Sequence, residues 1–132
     1  LVDSNVLLDI LTDDRTWAPW SSQALADAAD RGRLVINPIV YAEVSVRFSR
    51  IEALDEALPS REFARLPLPW EGSFLAAKAF AAYRRRGGLR TSTLPDFLIG
   101  AHAAVSGLVL LTRDAARYRT YFPTVSVVAP RA

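Results

Sequence analysis

"LVDSNVLLDIL", residues 1–11, places an aspartate inside a stretch otherwise apolar enough to bury itself. Leu1 and Val2 read as the last residues of a strand, Val6 to Leu11 has apolar side chains at helical spacing, and Asp3 falls between them. An acid at such a junction is either the N-cap of the helix that follows or a carboxylate held out at the end of a strand. The choice turns on whether other acids arrive at the same place.

Outward from this stretch, short β-branched runs alternate with longer helical patterns. "WSSQALADAADR" (20–31) is a helix closed by Gly32, "RLVIN" (33–37) a strand, and Pro38 opens the helix "PIVYAEVSVRFSR" (38–50). Residues 51–57 form a further short helix, and "FARLPLP" (63–69) a brief strand that its prolines confine to an edge or end. "EGSFLAAKAFAAYRRRGG" (71–88) is the strongest helix signal, followed by a helix in "TSTLPDFLIGAHAAVSG" (91–107) that Thr93 caps. After a turn at Gly107 come the strand "LVLLT" (108–112), the short helix "RDAARYRTYF" (113–122) and the strand "VSVVAP" (125–130). Alternation of this kind predicts an α/β domain with a central, mainly parallel sheet, and 132 residues suit one domain with one core.

Composition narrows the chemistry. There is no cysteine, which removes disulfides, thiolate zinc sites and cysteine nucleophiles together. The longest apolar run, "FLIGAHAAVSGLVLLT" (97–112), falls short of the roughly 18–20 residues of a membrane span. With no basic-then-apolar leader either, a cytoplasmic protein with no membrane partner is the expectation. The formal charge is +2, and Lys78 is the only lysine, so the basic side is almost wholly arginine, whose planar fork suits phosphate. If four acids gather in one site, the rest of the surface is more basic than that net charge suggests, which suits a nuclease, although a GC-rich genome also raises arginine over lysine.

Sites in open α/β sheets form outside the carboxyl ends of the strands. Asp3 follows "LV" and Asp114 follows "LVLLTR", so both belong on one rim of the sheet. Glu43 lies in the helix after "RLVIN" and can lean over that rim, and Asp96 stands in the first turn of its helix. Four carboxylates from four segments can thus converge, and bare like charges raise one another's pKa unless a cation answers them. Mg²⁺ or Mn²⁺, which prefers hard oxygen ligands, would do so and would support phosphodiester hydrolysis. Each acid also has a structural reading: Asp3 as an N-cap, Asp96 in a capping box with Thr93, Asp114 at the positive end of a helix, Glu43 on a solvated face.

The context of the four acids resembles the PIN-domain family and, within it, the VapC-type toxins of bacterial toxin–antitoxin pairs. The matching words are "LVDSNVLLD", "NPIVYAEV", "LPDFLIGAHA" and "LVLLTRDAARYRTYFPTVSVVAP", in the family's order and across essentially the whole chain. The resemblance implies a single PIN-like domain over residues 1–132, with three α/β/α layers. It also implies a Mg²⁺- or Mn²⁺-dependent endoribonuclease, dimeric and restrained by a cognate antitoxin, that leaves a 5′-phosphate and a 3′-hydroxyl. By the same resemblance Asp3, Glu43, Asp96 and Asp114 match the acidic, metal-holding quartet, with Asn5 and Thr112 as supporting neighbours. Ala115 and Ala116 stand where some members carry a further acid, so one metal before substrate arrives is the expectation.

Other residues invite functional readings. Asp9 reads as an exposed helix residue, with an outer role in the site as the alternative; His102, the only histidine, reads as packed rather than as a general base. Arg84, Arg85, Arg86, Arg90 and Arg113 are candidates for RNA contact, against a role for the first three at the negative end of a helix. Trp17, Trp20 and Trp70 read as core or interface aromatics rather than base-stacking platforms. An aspartate at a strand end also begins haloacid-dehalogenase-type phosphatases, but Asn5 stands where those want a second aspartate. A phosphoacceptor receiver domain would want a lysine at a late strand end, and Lys78 lies in a helix. Two rivals of other kinds are a PIN-like domain that binds a protein partner without cleaving, and a stand-alone RNA-processing nuclease without an antitoxin.

Overall fold

A computed structural model describes residues 1–88 and 94–131. Seven helices and four short strands alternate among them: α1 (Ser4–Leu11), α2 (Ala18–Arg31), β1 (Leu34–Ile36), α3 (Pro38–Ser45), α4 (Ile51–Ala57), β2 (Phe63–Arg65), α5 (Trp70–Arg85), α6 (Leu94–Ser106), β3 (Leu110–Leu111), α7 (Ala116–Tyr121) and β4 (Val127–Val128). β1 pairs in parallel with β2, and β3 with β4. Residues 1–3 join the two pairs into one array: Val2 N–H donates to Val35 O (2.9 Å), and Asp3 N–H to Leu111 O (2.8 Å). Leu111 N–H returns a bond to Leu1 O (2.9 Å), and the bridge between Val2 and Leu111 is parallel.

The order across the sheet is therefore β2, β1, residues 1–3, β3, β4. This order locates the site. The chain winds outward from residues 1–3 through β1 to β2, then crosses back to β3 and continues to β4. Right-handed crossovers place the helices before and after that reversal on opposite faces, and the strand ends diverge where the winding reverses. That crevice lies between residue 3 and the end of β3, where Asp3 and Thr112 stand.

Local chemistry accounts for the elements. Pro38 sits in the first turn of α3, where its missing N–H costs nothing, and the Asn37 side chain accepts from Val40 N (2.9 Å). β2 is an edge strand followed by Pro67 and Pro69, as its prolines predict. Gly107 makes the turn after α6 with φ +64, a conformation that favours glycine. The cap expected from Thr93 lies outside the described residues. One continuous core runs from Val2, Val6 and Leu7 through Ile36, Val40 and Val44 to Phe97, Ile99, Leu110 and Phe122. Trp20 packs against it, whereas Trp70 is 88% exposed and belongs to no core. No described helix is long and apolar enough to cross a membrane.

Candidate active site

Asp3 occupies the N-cap position of α1, yet its carboxylate makes no cap bond to that helix. It is 3% exposed, and its Oδ2 accepts hydrogen bonds from Thr112 Oγ1 (2.8 Å) and from the Tyr118 hydroxyl (2.9 Å). Both donors arrive from far along the chain, so side chains beyond β3 and on α7 hold the carboxylate in place. Burial pushes the Asp3 carboxyl above its ordinary pKa, against the pull of these donors.

Thr112 is fixed in turn. Asn5 Nδ2 donates to Thr112 Oγ1 (3.2 Å), Arg113 N–H donates to Asn5 Oδ1 (3.1 Å), and Asp114 N–H donates to Thr112 Oγ1 (3.1 Å). Asn5 and Thr112 thus form one polar seam between α1 and the end of β3. Ser4 ties in the next acid, since its hydroxyl donates to Glu43 Oε1 (2.8 Å) and lies 3.5 Å from Asp3 Oδ1. Glu43 reaches the site from α3, which the Asn37 cap and the parallel strand β1 aim at the rim.

Asp96, in the first turn of α6, completes a group of three. Its pKa is pushed up to about 6, by burial first and then by the charge of Asp3, with Glu43 adding to the effect. Glu43 is raised by burial and by Asp3. The counter-charge comes from Arg117 on α7, paired with Asp96 and stacked over the Tyr83 ring at 5.3 Å. Asp114 stands on the same rim, but its carboxylate is exposed and makes no hydrogen bond or ion pair with a described residue.

The structure therefore brings Asp3, Glu43 and Asp96 together and leaves Asp114 at the edge. Among the described residues, no three acids stand close enough as placed to share one cation. The donor set nonetheless fits a hard divalent cation in kind: three carboxylates lie within reach of one another's charge, and one guanidinium answers them. Asp3 and Glu43 would hold such an ion with Asp96, and Asp114 stands at the mouth.

Asp9 corrects an expectation. It is not an exposed helix residue but is 3% exposed, on the face of α1 that packs against α2. Arg113 grips it with Nε (2.8 Å) and Nη2 (3.1 Å), and the Ser21 hydroxyl donates at 2.8 Å. Arg113 also lies over the Trp17 ring at 5.2 Å, so this guanidinium is engaged by Asp9 and Trp17. His102 is packed, as expected, and 1% exposed. Because Asn37 Oδ1 serves the α3 cap, Asn37 Nδ2 faces His102 Nδ1 (3.0 Å), which must then offer its lone pair. Burial lowers the His102 pKa in keeping with that neutral ring.

Arg84 and Arg85 occupy the last turn of α5, exposed, and Arg86 lies over the Tyr121 ring at 5.6 Å. Arg90 lies outside the described residues. Sequence reasoning missed Ser4, Arg117 and Tyr118. A tyrosine one helical turn before Phe122 on a buried face needs a partner for its hydroxyl, which was a signal for Tyr118. Nothing in the sequence pattern singles out Arg117.

The PIN domain family profile matches residues 1–123. None of the curated proteins compared with the chain matches it. Among solved structures, VapBC2 from Rickettsia felis, bound to a DNA fragment from its promoter, is similar with a TM-score of 0.72 at 15% identity, over 98% of this chain and 97% of that one. VapBC-1 from nontypeable Haemophilus influenzae gives 0.72 at 18% identity, over 97% and 95%. A toxin–antitoxin complex from Klebsiella pneumoniae gives 0.61 at 22% identity, over 96% and 93%. At these identities the likeness is one of fold, and it agrees with the sheet order and the profile. The chain belongs to the PIN domain family.

Proposed function

We propose that this chain is a metal-dependent endoribonuclease and the toxin of a toxin–antitoxin pair, hydrolysing RNA to 5′-phosphate and 3′-hydroxyl ends. The observation that carries this reading is the convergence of Asp3, Glu43 and Asp96 at the crevice between residues 1–3 and β3, each held above its ordinary pKa by burial, with the neighbouring acids adding to the rise at Glu43 and Asp96. A bound Mg²⁺ or Mn²⁺ would neutralise these acids, polarise the phosphodiester and lower the pKa of the attacking water. Asp3 is the fixed member, locked by Thr112 and Tyr118; Glu43 is oriented by Ser4; Asp96 faces both from α6. Asp114, exposed at the rim, is free to turn inward once a cation is present.

An antitoxin partner is supported by the fold's likeness to chains solved in VapBC and toxin–antitoxin complexes. Such a partner would block the pocket by presenting a basic side chain to the acids. A homodimer is supported by Trp70 and Phe74, one helical turn apart on α5 and 88% and 67% exposed, which a second copy would cover.

The test is incubation of the purified chain with total bacterial RNA in Mg²⁺ or Mn²⁺, with and without chelator, followed by end mapping. Cleavage that needs the cation, leaves 5′-phosphates and disappears in Asp96→Asn supports the reading. Cleavage unaffected by chelator, or intact in Asp96→Asn, overturns it.

A further inference from the structure

We propose that Arg117 is the internal counter-cation of the acid pocket: it competes with the divalent ion for Asp96 and, once displaced, contacts the RNA phosphate. This inference rests on the metal-dependent nuclease reading above. Arg117 is the neighbour of Tyr118 on the short helix α7, and consecutive helical residues point roughly 100° apart. Tyr118 is 2% exposed and anchors α7 to Asp3, while Arg117 reaches Asp96 at the rim with its side chain 31% exposed.

The charges around it are unbalanced. Asp3 is held by hydroxyls, Glu43 by the Ser4 hydroxyl, and Asp96 by Arg117, the one guanidinium found against these three carboxylates among the described residues. A single positive charge therefore faces three acids. A divalent ion entering the pocket meets that guanidinium first as a repelling charge and second as a rival for Asp96. Arg117 is also placed to move. Its other contact is the face of Tyr83, a surface over which a guanidinium slides without losing a directional bond. Released at the rim, its planar fork of donors matches a phosphate better than it matches water.

Affinity for Mn²⁺ alone, read by electron paramagnetic resonance on metal-free protein, separates this role from a structural one. Arg117→Ala should bind Mn²⁺ more tightly, by about fivefold, which is what loss of a half-exposed ion pair with a ligand is worth. The same variant should cleave total RNA more slowly at saturating Mn²⁺. Arg117→Lys keeps the charge and should return Mn²⁺ affinity to the wild-type level while restoring cleavage only in part. Equal or weaker Mn²⁺ binding by a folded Arg117→Ala overturns the inference, because it makes Arg117 a support for Asp96 or a bystander. Tighter Mn²⁺ binding with unchanged cleavage overturns the phosphate contact. Absence of Mn²⁺ binding to the wild type is a different result and removes the nuclease reading itself.

Discussion

Thr112 Oγ1 lies 2.8 Å from Asp3 Oδ2, so a hydroxyl just past β3 fixes a carboxylate at the end of the neighbouring strand segment. The Tyr118 hydroxyl reaches the same oxygen at 2.9 Å, which leaves Oδ1 as the face turned toward Ser4 and Glu43. Asp3 is thus aimed rather than merely present. Donors that orient a metal-binding carboxylate typically carry about 10–100-fold in affinity or activity. Tyr118→Phe removes one such donor with little change in packing, and the expected result is roughly tenfold weaker Mn²⁺ binding with the fold retained. Titration of the metal-free variant beside the wild type checks it; equal affinity would mean that Thr112 alone holds Asp3.

The Asp9–Arg113 pair predicts an asymmetric pair of mutations. Asp9 is 4% exposed in its side chain and Arg113 31%. Removing Arg113 strands a buried carboxylate with Ser21 as its remaining donor, whereas removing Asp9 leaves a guanidinium that can turn to water. Arg113→Ala should therefore cost about 3 kcal/mol of stability and Asp9→Ala less, on the order of 1–2 kcal/mol. Urea unfolding of both variants checks the order. Equal small losses would place the pair among surface ion pairs of little worth.

Both predictions bear on how much of this molecule was legible in the sequence. The alternation of strands and helices was readable because the parallel strands lie in short, mostly apolar runs, and here Pro38, Pro67, Pro69 and Gly107 punctuate them. The strand-end position of Asp3 was readable for the same reason. Asp9 was misread because an acid in an amphipathic helix defaults to water, and only the arrival of Ser21 and Arg113 from elsewhere in the chain makes its burial tolerable. Tyr118 left a local signal in its spacing from Phe122, but its partner Asp3 and the place of Arg117 depended on how α7 docks. The order of strands, which sets the crevice, came from hydrogen bonds made by residues 1–3 and was likewise beyond local reading.

Burial of Asp96, with the neighbouring acids, gives the metal-free protein a pH signature. The folded pKa of Asp96 is about 6, above the ordinary value of 3.8. A carboxyl raised in this way contributes stability that is fully present below the unfolded value and is lost as pH rises through the folded one. In chelator, wild type should therefore lose stability relative to Asp96→Asn between about pH 4 and pH 7. Thermal unfolding across that range checks the sign, and parallel curves for the two proteins would show that neither burial nor the neighbouring acids shift Asp96.

Close packing of α6 on α7 makes Gly100 intolerant of a side chain. A Cβ there would lie 2.5 Å from the buried Phe122 ring and 3.0 Å from Tyr118. Alanine is worth up to about 1 kcal/mol over glycine within a helix, but overpacking a fixed core typically costs about 1–3 kcal/mol. Gly100→Ala should lower stability and, by shifting Tyr118, weaken Mn²⁺ binding as well. A stabilised variant with unchanged affinity would show that α7 can yield without disturbing Asp3.

On the reading proposed above, Asp3, Glu43 and Asp96, with Asp114 at the mouth, hold a divalent cation. An anomalous-scattering map from crystals soaked in Mn²⁺ tests it without any choice of RNA. The expected result is one peak bounded by Asp3, Asp96 and Glu43, with Arg117 drawn away from Asp96. Well-ordered acids around an empty pocket at saturating Mn²⁺, with Arg117 still paired to Asp96, would contradict it.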